Sequence, residues 1–165
     1  MPVIIGIDTS CYTTSVAVID EDGKQLADNR RLLAVEEGGR GIAQSAALFQ
    51  HIREGSDVLA QTLAAVDKNQ VAAVAVSTAP RSLTNSYMPV FLAGVNAAKI
   101  LAAAYAVPLY GFSHQEGHIM AAAVTSKMPE KQEFLAIHLS GGTSELLQVK
   151  TTPNGFDIKI LGAGS

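Results

Sequence analysis

The stretch Val3-Ile4-Ile5-Gly6-Ile7-Asp8-Thr9-Ser10 decides the fold, because its pattern returns at Phe134-Leu135-Ala136-Ile137-His138-Leu139-Ser140. Each copy is a short apolar run that ends in a small, polar turn, as a buried strand does where it reaches a loop. The sequel also repeats. After the first copy, residues 14–19 alternate and are apolar, and the Asp22-Gly23 pair signals a hairpin turn. Residues 24–33 then make a third strand. After the second copy, residues 145–150 read as a strand, Pro153-Asn154-Gly155 as a turn and residues 156–161 as a third strand. Two antiparallel meanders are expected, alike in pattern but not in identity. Glycines in such turns admit close backbone approach, and backbone N–H groups there can surround phosphate. Two ordinary hairpins would give the same pattern.

Between the meanders the chain reads as α/β. Residues 38–41 (Gly-Gly-Arg-Gly) break it. Residues 42–66 follow as a helix with Ile42, Ala46, Phe49, Ile52, Leu59 and Leu63 expected inward, and Gly55-Ser56 as a place to kink or divide it. Residues 71–76 are an apolar strand, 86–106 a second helix, and 108–112 another strand. Three loops at strand carboxyl ends, residues 8–13, 77–85 and 113–118, lie where α/β folds place ligands. Residues 127–132 form a charged linker. The domain division expected is 1–126 and 127–165. The second meander has no helix after it, which leaves one apolar face for a partner to cover.

His114 and His118 open an alanine-rich helical segment, with Ser113 placed to cap it. Residues four apart share a helix face, so the two imidazoles can bind one metal ion. Two unremarkable histidines at a helix start are the alternative, since two ligands alone make no site. Glu116, at i+2, points away from that face, so the segment is not a zincin His-Glu-x-x-His. Cys11 reads as a small packed residue without an activating neighbour. Arg40, Arg53 and Arg81 read as solvated surface or phosphate contacts.

Composition narrows the function classes. The 165 residues are 48% hydrophobic and 16% charged, enough for a sizeable core, and no disordered segment is suggested. The net charge of −3 argues against a self-sufficient nucleic-acid binder. One cysteine excludes an intrachain disulfide and fits a reducing compartment. No apolar run is long enough to span a membrane, and no basic n-region precedes the first strand. The expectation is a soluble cytoplasmic protein.

Three motifs, Gly6-Ile7-Asp8-Thr9-Ser10-Cys11, His114-Gln115-Glu116-Gly117-His118 and Leu139-Ser140-Gly141-Gly142-Thr143-Ser144-Glu145-Leu146, resemble those of the tRNA threonylcarbamoyl-adenosine synthesis family (TsaD, or Gcp-like, once called O-sialoglycoprotein endopeptidase). The resemblance runs along the whole chain in order and spacing. It implies an actin-like (ASKHA) α/β fold, with a ribonuclease-H-like first lobe and the opening β-meander of a second. It implies iron(II) or zinc on His114 and His118, and an adenine nucleotide (ATP or an adenylate intermediate) approached by Ser140, Gly141, Gly142 and Thr143, with Asp8 and Ser10 on the opposing loop. The family transfers a threonylcarbamoyl group to tRNA adenosine, as an acyltransferase and not a peptidase. No residue here is assigned as catalytic.

The chain also departs from the family. It stops before the family's late aspartate ligand and looks like the first half of a family member. The loop usually read as Gly-Pro-Gly-Leu is Ala79-Pro80-Arg81-Ser82-Leu83 here, and the usual Ser-Gly-Gly-His/Asn-Thr-Gln is Ser140-Gly141-Gly142-Thr143-Ser144-Glu145. These changes suggest a divergent paralogue. His138 stands where archaeal and eukaryotic relatives carry a metal-reaching tyrosine, which makes it a candidate third ligand; a strand-end histidine with a satisfied hydrogen bond is the alternative. A homodimer or a related ASKHA subunit is the expected partner, with tRNA bound only alongside partners. The rival reading is a non-enzymatic, degenerate ASKHA module that dimerises or scaffolds.

Overall fold

A computed structural model describes residues 1–35, 38, 41–126, 133–140 and 142–164, with the side chain of Ser140 excepted. Two compact units emerge: Met1–Pro80 with Asn85–His114, and Arg81–Thr84 with Gln115–Ser165. The linker expected at 127–132 lies outside the described residues, as do Gly39 and Arg40.

The first unit is a five-stranded sheet in the order β3-β2-β1-β4-β5. Its strands are β1 (Val3–Asp8), β2 (Thr13–Asp20), β3 (Gln25–Leu32), β4 (Val71–Ala79) and β5 (Leu109–Ser113). β1 pairs antiparallel with β2 and parallel with β4, and β4 pairs parallel with β5. The carboxyl ends of β1, β4 and β5 therefore lie side by side. The hairpin at Asp20 closes as expected: Gly23 takes a φ of +78° and Gly23 N donates to Asp20 O at 3.0 Å.

The helices α1 (Gln44–Leu63) and α2 (Phe91–Tyr105) supply the core with Val3, Ile5, Ile7, Val16, Val18, Val74 and Val76. On β1 the alternating residues Val3, Ile5 and Ile7 are buried. α1 runs unbroken through Gly55 and Ser56. Its buried residues are Ala47, His51, Val58 and Thr62. Phe49 and Ile52, expected inward, are exposed, whereas Leu59 and Leu63 pack against the core. The buried stripe carries two polar side chains with partners, Thr62 Oγ1 donating to Val58 O at 2.8 Å and His51 meeting Thr14, so apolar periodicity alone misplaces it.

α2 starts five residues later than the sequence suggests. Pro89 disfavours a helical Met88, and the first turn forms only beyond it, with Leu92 N donating to Pro89 O at 3.0 Å. The helix ends with Ala106 in the left-handed region at φ 53°, where Val107 N donates to Ala102 O at 3.0 Å.

The second unit contains α3 (His114–Thr125) from Gln115 onward and a meander in the order β6-β7-β8. Its strands are β6 (Glu133–Ser140), β7 (Thr143–Thr152) and β8 (Gly155–Gly164). Ile119 of α3, Leu147 and Val149 form its core with Phe134, Ala136, Phe156 and Ile158 around them. One face of the meander is thus covered. The opposite face of β6 leaves Leu135, Ile137 and Leu139 65, 73 and 71% exposed, the uncovered apolar face expected from the sequence.

Candidate functional site

Three parallel strands deliver the polar residues of the first unit to one edge. Asp8 ends β1, Ser77 lies near the end of β4, and His114 follows β5 directly. The register pairs Ile7 with Val76, which sets Asp8 beside Ser77. The Asp8 carboxylate accepts from Ser10 N at 2.7 Å, from Ser10 Oγ at 2.5 Å and from the Ser77 hydroxyl, and it lies 2.9 Å from His114 Nδ1. His114 Nε2 is 3.4 Å from Ser10 Oγ, and the Phe91 ring stands edge-on to the imidazole at 6.4 Å. Burial pushes the Asp8 pKa up, but the hydrogen bonds from His114, Ser10 and Ser77, with the charge on His114, outweigh it and hold the group well below the usual carboxylate range.

The turn that carries Asp8 is braced from beneath. Thr9 Oγ1 donates to Val90 O at 2.9 Å and accepts from Gly94 N at 3.1 Å, tying the turn to the start of α2. A Cβ at Gly94 would stand 2.9 Å from that oxygen, so this close approach requires glycine. Buried His51 meets Thr14 Oγ1 through Nδ1 at 2.8 Å, and burial lowers its pKa. Cys11 is exposed rather than packed, at a φ of 43°. Burial of part of its side chain, then the Asp8 charge, raises the thiol pKa, which keeps it an unreactive thiol.

The second unit holds another polar cluster. Gln115 and Glu145 are both buried. Glu145 Oε2 accepts from Gln115 Nε2 at 2.9 Å and lies 3.4 Å from His138 Nδ1, and Oε1 is 3.1 Å from Arg81 Nη2. The same Arg81 nitrogen donates to Thr143 Oγ1 at 3.1 Å. The His118 and His138 rings are 6.0 Å apart, centroid to centroid. Glu116 accepts from Ser82 Oγ at 2.7 Å. Arg53 lies on the surface, paired with Glu54 at 2.7 Å.

Of the residues singled out in the sequence, Asp8, Ser10 and His114 come together in the first unit. His118 and His138 come together in the second, where Thr143 is bound to Arg81. Gly142 is exposed, with nothing within 4 Å of the position a Cβ would take, so packing makes no demand for glycine there. Gly141 and the Ser140 side chain lie outside the described residues. Sequence reasoning placed Thr9, Ser77 and Gln115 in the three strand-end loops without giving them a role, and missed His51 and Gly94.

Imidazole nitrogens suit zinc and iron(II). His114 and His118 stand one turn apart on α3, and the His118 and His138 rings are tilted 43° to each other. Among the described residues no three His, Cys, Asp or Glu side chains form a group that could hold a metal ion. Among the same residues no helix is long and apolar enough to cross a membrane.

Residues 28–160 match the family described as TsaD, tRNA N6-adenosine threonylcarbamoyltransferase. The tRNA N6-adenosine threonylcarbamoyltransferase of Anoxybacillus flavithermus is 34% identical over 151 residues, covering 89% of this chain and 42% of that protein. The chain therefore spans less than half the length of such relatives. Among solved structures, YeaZ from Pseudomonas aeruginosa superposes with a TM-score of 0.62 at 15% identity, covering all of this chain and 65% of that one. A putative N-acetylmannosamine kinase from Listeria monocytogenes gives a TM-score of 0.54 at 15% identity, covering 94 and 49%. These likenesses establish an actin-like fold, and the extent of the family match establishes that the chain belongs to the tRNA N6-adenosine threonylcarbamoyltransferase family.

Proposed function

We propose that the chain is the metal- and nucleotide-binding half of a threonylcarbamoyltransferase-like protein acting in tRNA adenosine modification. The observation that carries this reading is the histidine pair of α3: His114 follows β5 directly, its ring held through Nδ1 by Asp8 at 2.9 Å, and His118 comes one turn later. His114 and His118 are the proposed ligands of iron(II) or zinc, and His138 is the proposed further one. Such an ion, when bound, supplies Lewis-acid polarisation of the transferred acyl group. Glu145 and Gln115 orient the His138 ring. The turn from Ser140 to Thr143 approaches the phosphates of ATP or of an adenylate, a role supported by the open surroundings of Gly142. Asp8 and Ser10 belong to the same proposed chemistry through His114. A net charge of −3 assigns most tRNA contact to partners, either a second copy or a related actin-like subunit, in the cytoplasm.

Metal analysis of the purified chain, followed by calorimetric titration with ATP and AMP, tests the reading. A bound transition metal lost in His114→Ala and His118→Ala, with weak nucleotide binding, is expected. Folded protein with neither metal nor nucleotide binding at millimolar nucleotide refutes it.

The exposed strip of Leu135, Ile137 and Leu139 favours the second reading, a non-enzymatic module that dimerises or scaffolds. A dimer by sedimentation that binds neither metal nor nucleotide supports that reading, and a clean monomer at micromolar concentration counts against it.

A further inference from the structure

A cleft of about 420 Å³ runs between α1 and α2 over the sheet, wholly within the first unit. Clefts of this size hold small molecules. β1 and β2 contribute Ile7 and Val16 to it, α1 contributes Leu48 and Leu59, and α2 contributes Ala97 and Leu101. Ile52, Leu92 and Ile100 line the same cleft and are 64, 48 and 60% exposed, so its apolar surface continues out to solvent. Four lining residues are polar: Thr14, His51, Ser56 and Asn96. Ser56 and Asn96 are exposed to water, whereas Thr14 and His51 are each 1% exposed. Thr14 Oγ1 and His51 Nδ1 satisfy each other at 2.8 Å. His51 Nε2 is buried and has no hydrogen-bond partner among the described residues. Leaving a buried polar atom unpaired is worth roughly 5- to 150-fold in an equilibrium constant. The backbone carbonyl of Cys11 also hydrogen-bonds the ring. A carbonyl only accepts and Nε2 is unpartnered, so the ring proton sits on Nδ1, between that carbonyl and Thr14 Oγ1. Nε2 therefore offers a lone pair, on a ring that burial keeps neutral.

We infer that the α1–α2 cleft binds a small amphipathic molecule, an apolar body with one terminal hydroxyl, whose O–H donates to His51 Nε2 while the body lies along the aliphatic walls. No lining residue other than the neutral His51 is ionisable, so the cleft offers an anion or a cation no counter-charge. One buried acceptor among apolar side chains asks for one donor on an otherwise apolar ligand. The site is distinct from the histidine pair of α3 and does not depend on the metal reading. The competing occupant is a helix of a second copy, laid over Ile52, Leu92 and Ile100 without a partner for Nε2.

Calorimetric titration of the whole chain with 4-propylphenol and with propylbenzene tests the inference. The two probes share an apolar body and differ by the hydroxyl, and water expels propylbenzene the more strongly. 4-Propylphenol should nevertheless bind at least ~5-fold more tightly. Its addition should also move the Nε2 nitrogen resonance of His51 in a proton–nitrogen correlation spectrum, the resonance being assigned by its loss in His51→Gln. In His51→Leu, folded by circular dichroism, the preference for the phenol should vanish or reverse. Propylbenzene binding as tightly as the phenol overturns the inference, as does phenol binding that leaves the His51 resonance unmoved. Binding of neither probe overturns it too, and a dimer by sedimentation that Leu92→Glu dissociates then assigns the cleft to a second copy. The resonance shift is read on the parent chain, so misfolding of His51→Leu does not shield the claim.

Discussion

Replacing Arg81 by alanine tests whether the second unit depends on its buried carboxylate. Glu145 is 4% exposed, and its partners are Arg81 Nη2 at 3.1 Å, Gln115 Nε2 at 2.9 Å and His138 Nδ1 at 3.4 Å. Without Arg81 the carboxylate stays buried and keeps only weaker partners. Breaking a fully buried pair costs about 3–5 kcal/mol. The Arg81 side chain is 32% exposed, so water screens the pair and can replace part of the guanidinium. Roughly half that cost, about 1.5–2.5 kcal/mol, is expected. On a domain of this size it lowers the unfolding midpoint by on the order of 5 °C. Replacing the pair together, Arg81→Met with Glu145→Leu, removes the desolvated charge as well and should recover most of the loss. Circular dichroism during thermal unfolding gives the midpoints, and hydrogen exchange of β7 amides reports the second unit. A single variant within about 0.5 kcal/mol of the parent, or a double variant no more stable than the single, refutes the reasoning.

Gly94→Ala sets a methyl group 2.9 Å from Thr9 Oγ1 and should destabilise by about 1–3 kcal/mol in urea unfolding, with the His114 resonances shifted as the Asp8 turn moves. Ala106→Gly relieves the left-handed backbone at φ 53° and should stabilise by roughly 1 kcal/mol in the same assay. Burial lowers the pKa of His51 below 6.5, so the unfolded chain takes up its proton first and folding stability falls as pH drops below about 6.5. His51→Gln should show a shallower fall in urea midpoint between pH 7 and pH 5.

The meanders were legible because short apolar runs, alternation and turn residues are local signals: the strands expected at residues 3–8 and 14–19 form, and both hairpins close. The histidine spacing was legible for the same reason. What escaped depends on contacts between distant residues. His51 and Thr62 sit on the buried face of α1 because Thr14 and the helix's own carbonyl satisfy them, which no apolar count records. Arg81 read as a solvated or phosphate-facing side chain because its partner Glu145 comes 64 residues later, by subtraction of the two positions. Cys11 read as packed because the turn residues are small, whereas its left-handed backbone turns it outward.

The apolar strip of β6 bears on how the two functional readings divide. Fully burying a Leu or Ile stabilises by about 1.5–3 kcal/mol, and Leu135, Ile137 and Leu139 have 65, 73 and 71% of their surface still to bury. Covering all three yields roughly 3–6 kcal/mol per copy, and about 6–12 kcal/mol where two copies pack strip against strip, at or below the gross gain a micromolar dimer needs. Association at micromolar affinity needs about 8 kcal/mol net of a translational and rotational cost of 4 kcal/mol or more. The strip is therefore too small to hold a dimer by itself, and a self-associating module must engage further surface, such as Leu146 and Leu161, which are also exposed. A segment tethered to the same chain escapes most of that association cost, because closing a loop costs only on the order of (3/2)RT ln n for n residues. The same three side chains thus suffice for an intramolecular cover and fall short for an intermolecular one.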